Sequence, residues 1–188
     1  MNICALILAA GLSTRMKKPK PLLKINNLYF VQNLYQLFIK QNITPVIITN
    51  IHLYTKINAI LPKAQILVNY APEKGRNSSI RLGLQYCQPN PVFIQNVDSP
   101  ILYPQTIHIL KKHIDPLHVI IPKYNGSTGH PIILPYSAQQ KFLAYDPEQI
   151  HFRKFIFSLP HKIIPVNDPY ITLNINTPEQ YQQLLHEI

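Results

Sequence analysis

The sequence predicts an α/β fold, a mostly parallel sheet with helices on both faces, and three observations carry that prediction. Short apolar runs recur along the chain, and longer amphipathic stretches separate them. The runs are continuous in hydrophobicity where a half-exposed strand would alternate, so they read as strands buried on both sides. With 188 residues the chain is long enough for one such domain, taken as residues 1–188, and too short for two of ordinary size.

In order, strands are expected at 3–9, 46–49, 66–68, 92–94 and 119–121. The segments between them, 30–40, 54–61, 78–86 and 105–113, space their apolar residues by three and four, as crossover helices do. After about Gly126 the pattern loosens into short candidate strands at 131–134, 163–166 and 171–175 and a last helix from Pro178, with room for an antiparallel edge or a lid. The 18 prolines are scattered at segment ends and form no linker. The opening apolar run has no basic segment before it and a basic loop after it, which suits a buried strand better than a signal peptide or membrane span.

Eighteen Lys and Arg against eight Asp and Glu give a formal charge of +10, so the field of the protein attracts polyanions such as nucleotides, phosphorylated metabolites or nucleic acid. Cys4 and Cys87 are too few for a disulfide framework and lack metal-ligand spacing; they read as buried thiols in a reducing compartment, which favours the cytoplasm.

The first strand runs into Ala9-Ala10-Gly11-Leu12-Ser13-Thr14-Arg15-Met16-Lys17-Lys18-Pro19-Lys20-Pro21, with five basic residues between Arg15 and Lys24. A turn of small residues lets backbone N–H groups approach a phosphate, which the cations then neutralise. Gly11 is free to take a positive φ. Lys20, between two prolines, is offered from a stiffened segment, which lowers the entropy cost of gripping a ligand. A solvated basic loop is the competing reading. No second glycine stands before a Lys-Ser or Lys-Thr pair, so this is not a P-loop.

Of the eight acids, Asp115, Asp146 and Asp168 each precede a proline and look like turn formers, Glu179 and Glu187 fall in the last helix, and Glu73 and Glu148 sit in polar stretches. Asp98 alone follows a strongly apolar strand, at the end where ligands of parallel sheets bind, so it is the best carboxylate for Mg²⁺. Capping of a helix that begins at Pro100 is the alternative.

Residues 8–23, L-A-A-G-L-S-T-R-M-K-K-P-K-P-L-L, resemble the signature of the MobA-like nucleotidyltransferases, which include the molybdopterin cytidylyl- and guanylyltransferases and are related to sugar-phosphate nucleotidyltransferases. Lys17 stands where that family usually has glycine. The resemblance continues in order through Gly75-Arg76-Asn77-Ser78-Ser79-Ile80-Arg81-Leu82-Gly83-Leu84, similar to the family's G-M-x-S-S-L-R-x-G-L, then Asp98-Ser99-Pro100, Gly129-His130-Pro131 and Asn174-Ile175-Asn176-Thr177-Pro178-Glu179. It implies a three-layer, Rossmann-like nucleotidyltransferase fold. It also implies that Leu8, Ala9, Ala10, Gly11, Ser13, Arg15 and Lys20 hold base and triphosphate, with Asn77, Ser78 and Ser79 as a second nucleotide contact. Without the family, Asn77 or Ser78 reads as a plain helix cap.

By the same resemblance, Gly129, His130 and Pro131 face the acceptor, and Asn176, with Asn174, completes the shell of Mg²⁺ at Asp98. Asn176 or Thr177 before Pro178 is also a good helix start in any protein. The implied reaction moves a nucleotide from an NTP to a phosphorylated acceptor, molybdopterin among the candidates, with Lys20, Arg15 and Asp98 as the catalytic set. Ala10 and the Pro19-Lys20 pair resemble the cytidylyl branch, Asn174 and Asn176 the guanylyl branch; the balance leans to CTP. A sugar- or polyol-phosphate acceptor is one rival. A non-catalytic nucleotide- or nucleic-acid-binding protein is the other, supported by Lys17 and the two asparagines, although no RNA-binding motif is present.

Overall fold

In a computed structural model, the described part of the chain comprises residues 2–146, 148 and 151–187. Its sheet contains β1 (Cys4–Leu8), β4 (Thr44–Asn50), β5 (Gln65–Asn69), β6 (Val92–Asn96), β7 (Val119–Tyr124), β8 (Ser127–Thr128), β9 (Ile132–Leu134) and β10 (His161–Pro165). A separate hairpin pairs β2 (Lys24–Ile25) with β3 (Leu28–Tyr29). The strand order is β5-β4-β1-β6-β9-β7-β10, with β8 paired to β7. Contacts of β1 with β4 and β6, of β4 with β5 and of β7 with β10 are parallel; β9 runs antiparallel to both β6 and β7.

Alternate residues of each strand feed opposite cores, as the period of two requires. Ala5, Ile7, Ile47, Phe93, Ile120 and Ile133 pack with α1 (Phe30–Lys40), α2 (Ile51–Ile60), α4 (Pro104–Lys112) and α7 (Pro178–Glu187). Cys4, Leu6, Val46, Ile48, Ile94 and Ile121 pack with α3 (Arg76–Cys87), α5 (Tyr136–Ala144) and α6 (Phe152–Ser158). Phe30, Phe38, Phe93 and Phe142 are fully buried, and each such side chain contributes about 1.5–3 kcal/mol by leaving water. Helix α3 lies so close to β1 that a Cβ on Gly83 would sit 2.5 Å from Leu6 Cδ1. The three expected layers are present, and no helix among the described residues is long and apolar enough to cross a membrane.

The predicted helices at 54–61 and 78–86 begin earlier, at Ile51 and Arg76, because Asn50 and Gly75 occupy the cap positions. The antiparallel strand β9 lies inside the sheet, between β6 and β7, while the short β8 pairs antiparallel with β7 off the main strand path. Residues 171–175 do not form a strand: Pro169–Thr172 is a 3-10 turn followed by extended chain. Asp168 causes that turn. It is wholly buried, and its carboxylate accepts hydrogen bonds from Tyr170 N (3.0 Å), Tyr103 N (2.9 Å) and Thr106 Oγ1 (2.7 Å). The β2–β3 hairpin escaped the sequence pattern because it is two residues per strand; its turn places Asn26 and Asn27 at φ 49° and 65°, as a two-residue hairpin needs.

Candidate active site

The order in which strands are added reverses at β1: the chain runs outward on one side through β4 and β5 and then crosses to the other side for β6. The crevice at the carboxyl ends of β1 and β6 is therefore the place where a ligand of this architecture sits. Strands β4, β5 and β6 each end in asparagine. Asn50 caps α2 by accepting from Leu53 N (3.2 Å) and donates from Nδ2 to Ala10 O (3.0 Å), which ties the first loop to β4. Asn69 donates to Ser78 Oγ (2.8 Å) and Ser79 Oγ (2.9 Å) and so fixes the start of α3. Asn96 lines the crevice itself.

The loop after β1 closes on itself through Lys20 N donating to Ser13 Oγ (3.2 Å). Its left-handed residues are Ser13 (φ 53°) and Lys17 (φ 55°); Gly11 does not use the positive φ open to it. Lys17 thus keeps the conformation a glycine would adopt there, at a steric cost of about 1–2 kcal/mol. A Cβ on Gly11 would meet nothing within 4 Å, so its backbone faces open space. Leu8, Ala10, Gly11, Ser13, Lys20 and Pro21 form one wall of a cavity of about 250 Å³; Gly75, Arg76, Ser79, Asn96 and Asp98 are among the residues opposite. Ala9 is buried behind this wall, its N–H bonded to Ile48 O (2.8 Å).

Asp98 follows β6 through a turn. Ile175 N donates to Asp98 O (2.8 Å) and Ser99 Oγ donates to Leu173 O, so the segment before α7 is fastened beside the end of β6. The helix after Asp98 begins at Pro104, so Asp98 does not cap it. Thr177 and Gln180 close a reciprocal cap at the start of α7, with Gln180 Oε1 accepting from Asn176 N (2.7 Å) and Thr177 N (3.2 Å). The Asn176 side chain takes no part in that cap: its Nδ2 donates to Asn174 O (3.4 Å) and its Oδ1 faces the basic loop. Lys20 Nζ lies 3.2 Å from Asp98 Oδ2 and 2.8 Å from Asn176 Oδ1, and Arg15 Nη2 donates to the same Asn176 oxygen at 3.3 Å. Asp98 Oδ1 is buried and has no hydrogen-bond partner.

Several expected site residues are placed otherwise. Asn174 is exposed, donates to Thr172 O (3.0 Å) and lines a second cavity; it is not brought to Asp98. Ser78 braces its own loop by donating to Gly75 O (2.7 Å), and Asn77 borders a shallow depression with Glu73, Lys74 and Glu148. Neither caps α3, whose cap is Gly75 at φ 84°. Ala9 supports the loop from behind. Among the described residues no cluster of three or more His, Cys, Asp or Glu exists, so a metal here would rest on one carboxylate.

The second cavity, about 260 Å³, shares Arg76 and Asn96 with the first. Its walls include Gly129, His130, Phe152, Arg153 and Phe157. Gly129 is obligatory, since a Cβ there would collide with the Ile171 carbonyl, which also accepts from His130 N (2.8 Å). His130 shows a solvent-facing edge, yet its ring is crowded on the other sides and Nδ1 lies 3.2 Å from Ile94 O. Desolvation pushes its pKa down to about 4, opposed by the Ile94 carbonyl, so it is neutral at physiological pH. Desolvation likewise lowers Arg76, with Asp98 opposing; a guanidinium stays charged regardless. Pro131 stands beside His130 but does not line the cavity. Arg76 was legible as part of a motif, while Arg153 and the phenylalanines of α6 had no signal, because that helix falls in the irregular stretch after Gly126.

Residues 5–163 match the MobA-like NTP transferase domain. No curated protein matches the chain in sequence. Solved structures with the same fold include Rv0371c of Mycobacterium tuberculosis in complex with manganese, with a TM-score of 0.81 at 17% identity over 100% of both chains. A nucleotidyl transferase from Methanothermobacter has a TM-score of 0.83 at 17% identity, covering 99% of this chain and 97% of its own. Molybdopterin-guanine dinucleotide biosynthesis protein A from Archaeoglobus fulgidus has 0.76 at 15%, covering 98% and 97%.

Proposed function

Since the chain belongs to the MobA-like NTP transferase family and is thereby a nucleotidyltransferase, we propose that it transfers a nucleoside monophosphate, CMP in preference to GMP, from an NTP to a phosphorylated small acceptor. The observation that carries this reading is the Lys20–Asp98–Asn176 cluster, set where a basic loop and the end of β6 meet, with Lys20 and Asp98 lining the first cavity. The first cavity takes the NTP and the second the acceptor. Molybdopterin is one acceptor of suitable chemistry. Ala10 and the Pro19-Lys20 pair, which resemble the cytidylyl branch, support the choice of base. The two buried free cysteines support a reducing, cytoplasmic setting.

An oxygen of the acceptor phosphate attacks the α-phosphorus of the NTP; the bond from that phosphorus to the bridging oxygen breaks, and pyrophosphate leaves. The attacking phosphate is already anionic, so no strong general base is needed, and catalysis reduces to positioning and charge neutralisation. Lys20 and Arg15 lie within reach of the triphosphate side and stabilise charge on it. Ser79 and the backbone from Ala10 to Ser13 bound the nucleotide; Arg76 stands between nucleotide and acceptor. The orphaned Asp98 Oδ1 and the amide oxygen of Asn176 suit a hard divalent cation. Mg²⁺ held there with the nucleotide supplies charge neutralisation on the phosphate oxygens.

The test is a screen of the chain with Mg²⁺ and each NTP against phosphorylated acceptors, reading pyrophosphate. One combination is expected to release it, and Asp98→Asn is expected to reduce that release on the order of a thousandfold or more with an unchanged melting temperature. Full activity of Asp98→Asn would remove the carboxylate from the mechanism, and silence in every combination would point to a nucleotide binder.

A further inference from the structure

Strand β6 buries a polar side chain that the site described above does not use. Gln95 is 0% exposed. By the two-residue period of the strand it shares a face with Phe93, toward the apolar core that holds α1 and α4. An apolar side chain would fill this place without losing hydration, whereas a carboxamide costs free energy there unless hydrogen bonds replace its water. The hydrogen bonds of Gln95 all go to one turn. Its Nε2 donates to Asn96 O (3.1 Å) and Ser99 O (2.8 Å), and Ser99 N closes the same turn on Asn96 O (3.2 Å). Its Oε1 is buried and accepts no hydrogen bond among the described residues, so the donor end of the amide is the engaged one.

The amide thus bridges the first and last carbonyls of a four-residue turn whose third residue is Asp98. On the other side of the turn, Ile175 N holds Asp98 O (2.8 Å) and Ser99 Oγ donates to Leu173 O. The main chain around Asp98 is therefore gripped from both sides, while its carboxylate keeps one oxygen on Lys20 and the other, Oδ1, buried without a partner. We propose that Gln95 is a positioning residue for this carboxylate: its buried Nε2 sets the turn Asn96–Ser99 and thereby the direction in which Asp98 meets a divalent cation. The proposal deepens the nucleotidyl-transfer reading and rests on its assignment of the metal to Asp98. A ligand held in place beforehand needs no rearrangement when the ion arrives, so loss of the brace weakens metal binding even where the fold survives.

The experiment follows Mn²⁺ binding to the full chain by spin resonance in Gln95→Met, which keeps an unbranched side chain of similar length, and in Gln95→Leu. Each is expected to weaken Mn²⁺ about 10–100-fold, the range for partners that orient a metal ligand. Asp98→Asn is expected to lose the ion, and Gln95→Met added to it to cause no further loss, because the two residues act as one unit. Unchanged Mn²⁺ affinity in a folded Gln95 variant, beside an Asp98→Asn chain that loses the ion, overturns the proposal, whatever happens to the melting temperature. Mn²⁺ binding indifferent to Asp98→Asn instead removes the metal from Asp98, and the reading beneath the proposal falls first. In the unaltered ¹⁵N-labelled chain, Mg²⁺ is expected to shift the Gln95 carboxamide resonance and to leave in place that of Gln65, exposed at the far end of β5. A Gln95 resonance indifferent to Mg²⁺ overturns the proposal even if neither variant folds.

Discussion

Lys20 touches two acceptor atoms that a metal would also want, Asp98 Oδ2 and Asn176 Oδ1. A cation held there would meet the ammonium as a like charge, so metal and Lys20 would compete for these two oxygens. Lys20→Met is accordingly expected to tighten Mn²⁺ binding to the nucleotide-free chain roughly tenfold, since one like charge within a few ångströms is worth about 1–4 kcal/mol at effective dielectrics of 80 to 20. The same variant should lose turnover by several orders of magnitude. Spin-resonance titration of free Mn²⁺ reads the first effect, and unchanged Mn²⁺ affinity would show that Lys20 does not compete for the carboxylate. His130 gives a second test. Its folded pKa is about 4 against the ordinary 6.5, so the unfolded chain takes up more protons between those values and stability falls as pH drops through that window. His130→Gln should flatten that part of the melting-temperature profile between pH 7 and 4; an unaltered slope would assign it to other groups. At this scale Asp98, Lys20 and Asn176 were legible from motif and position, whereas Arg153 was not, because a lone arginine in an irregular stretch has no periodicity to place it.

Among the elements, the connection Gly129-His130-Pro131 and the 3-10 turn at Pro169–Thr172 hold each other through His130 N and Ile171 O. Their contact shapes the second cavity. Gly129→Ala drives a Cβ into the Ile171 carbonyl and is expected to cost about 1–3 kcal/mol, as overpacking does. A denaturation midpoint equal to that of the parent chain would mean that the turn yields without cost. The parallel strands and first four crossover helices were readable because buried runs and amphipathic spacing are strong local signals. The turn at Asp168 was not, because a carboxylate before proline looks like an exposed turn former, and only its tertiary partners Tyr103 and Thr106 explain its burial. Strand β9 was readable as a strand but not in its place, since position within a sheet depends on pairing distant in sequence.

For the whole molecule, the formal charge of +10 draws any polyanion, so attraction alone does not distinguish an enzyme from a basic surface. A built site does more: the first loop, the end of β6 and the start of α3 converge on one cavity, with a second beside it. Calorimetric titration with CTP, GTP, ATP and UTP, with and without Mg²⁺ and at two salt concentrations, separates the two most directly. Exposed charges are screened beyond about 8 Å at physiological ionic strength, while a positioned site in a crevice is screened less. A preference for one base, CTP, that requires Mg²⁺ and survives the higher salt is the predicted result. Equal binding of all four triphosphates, indifferent to the metal and lost at high salt, would contradict it.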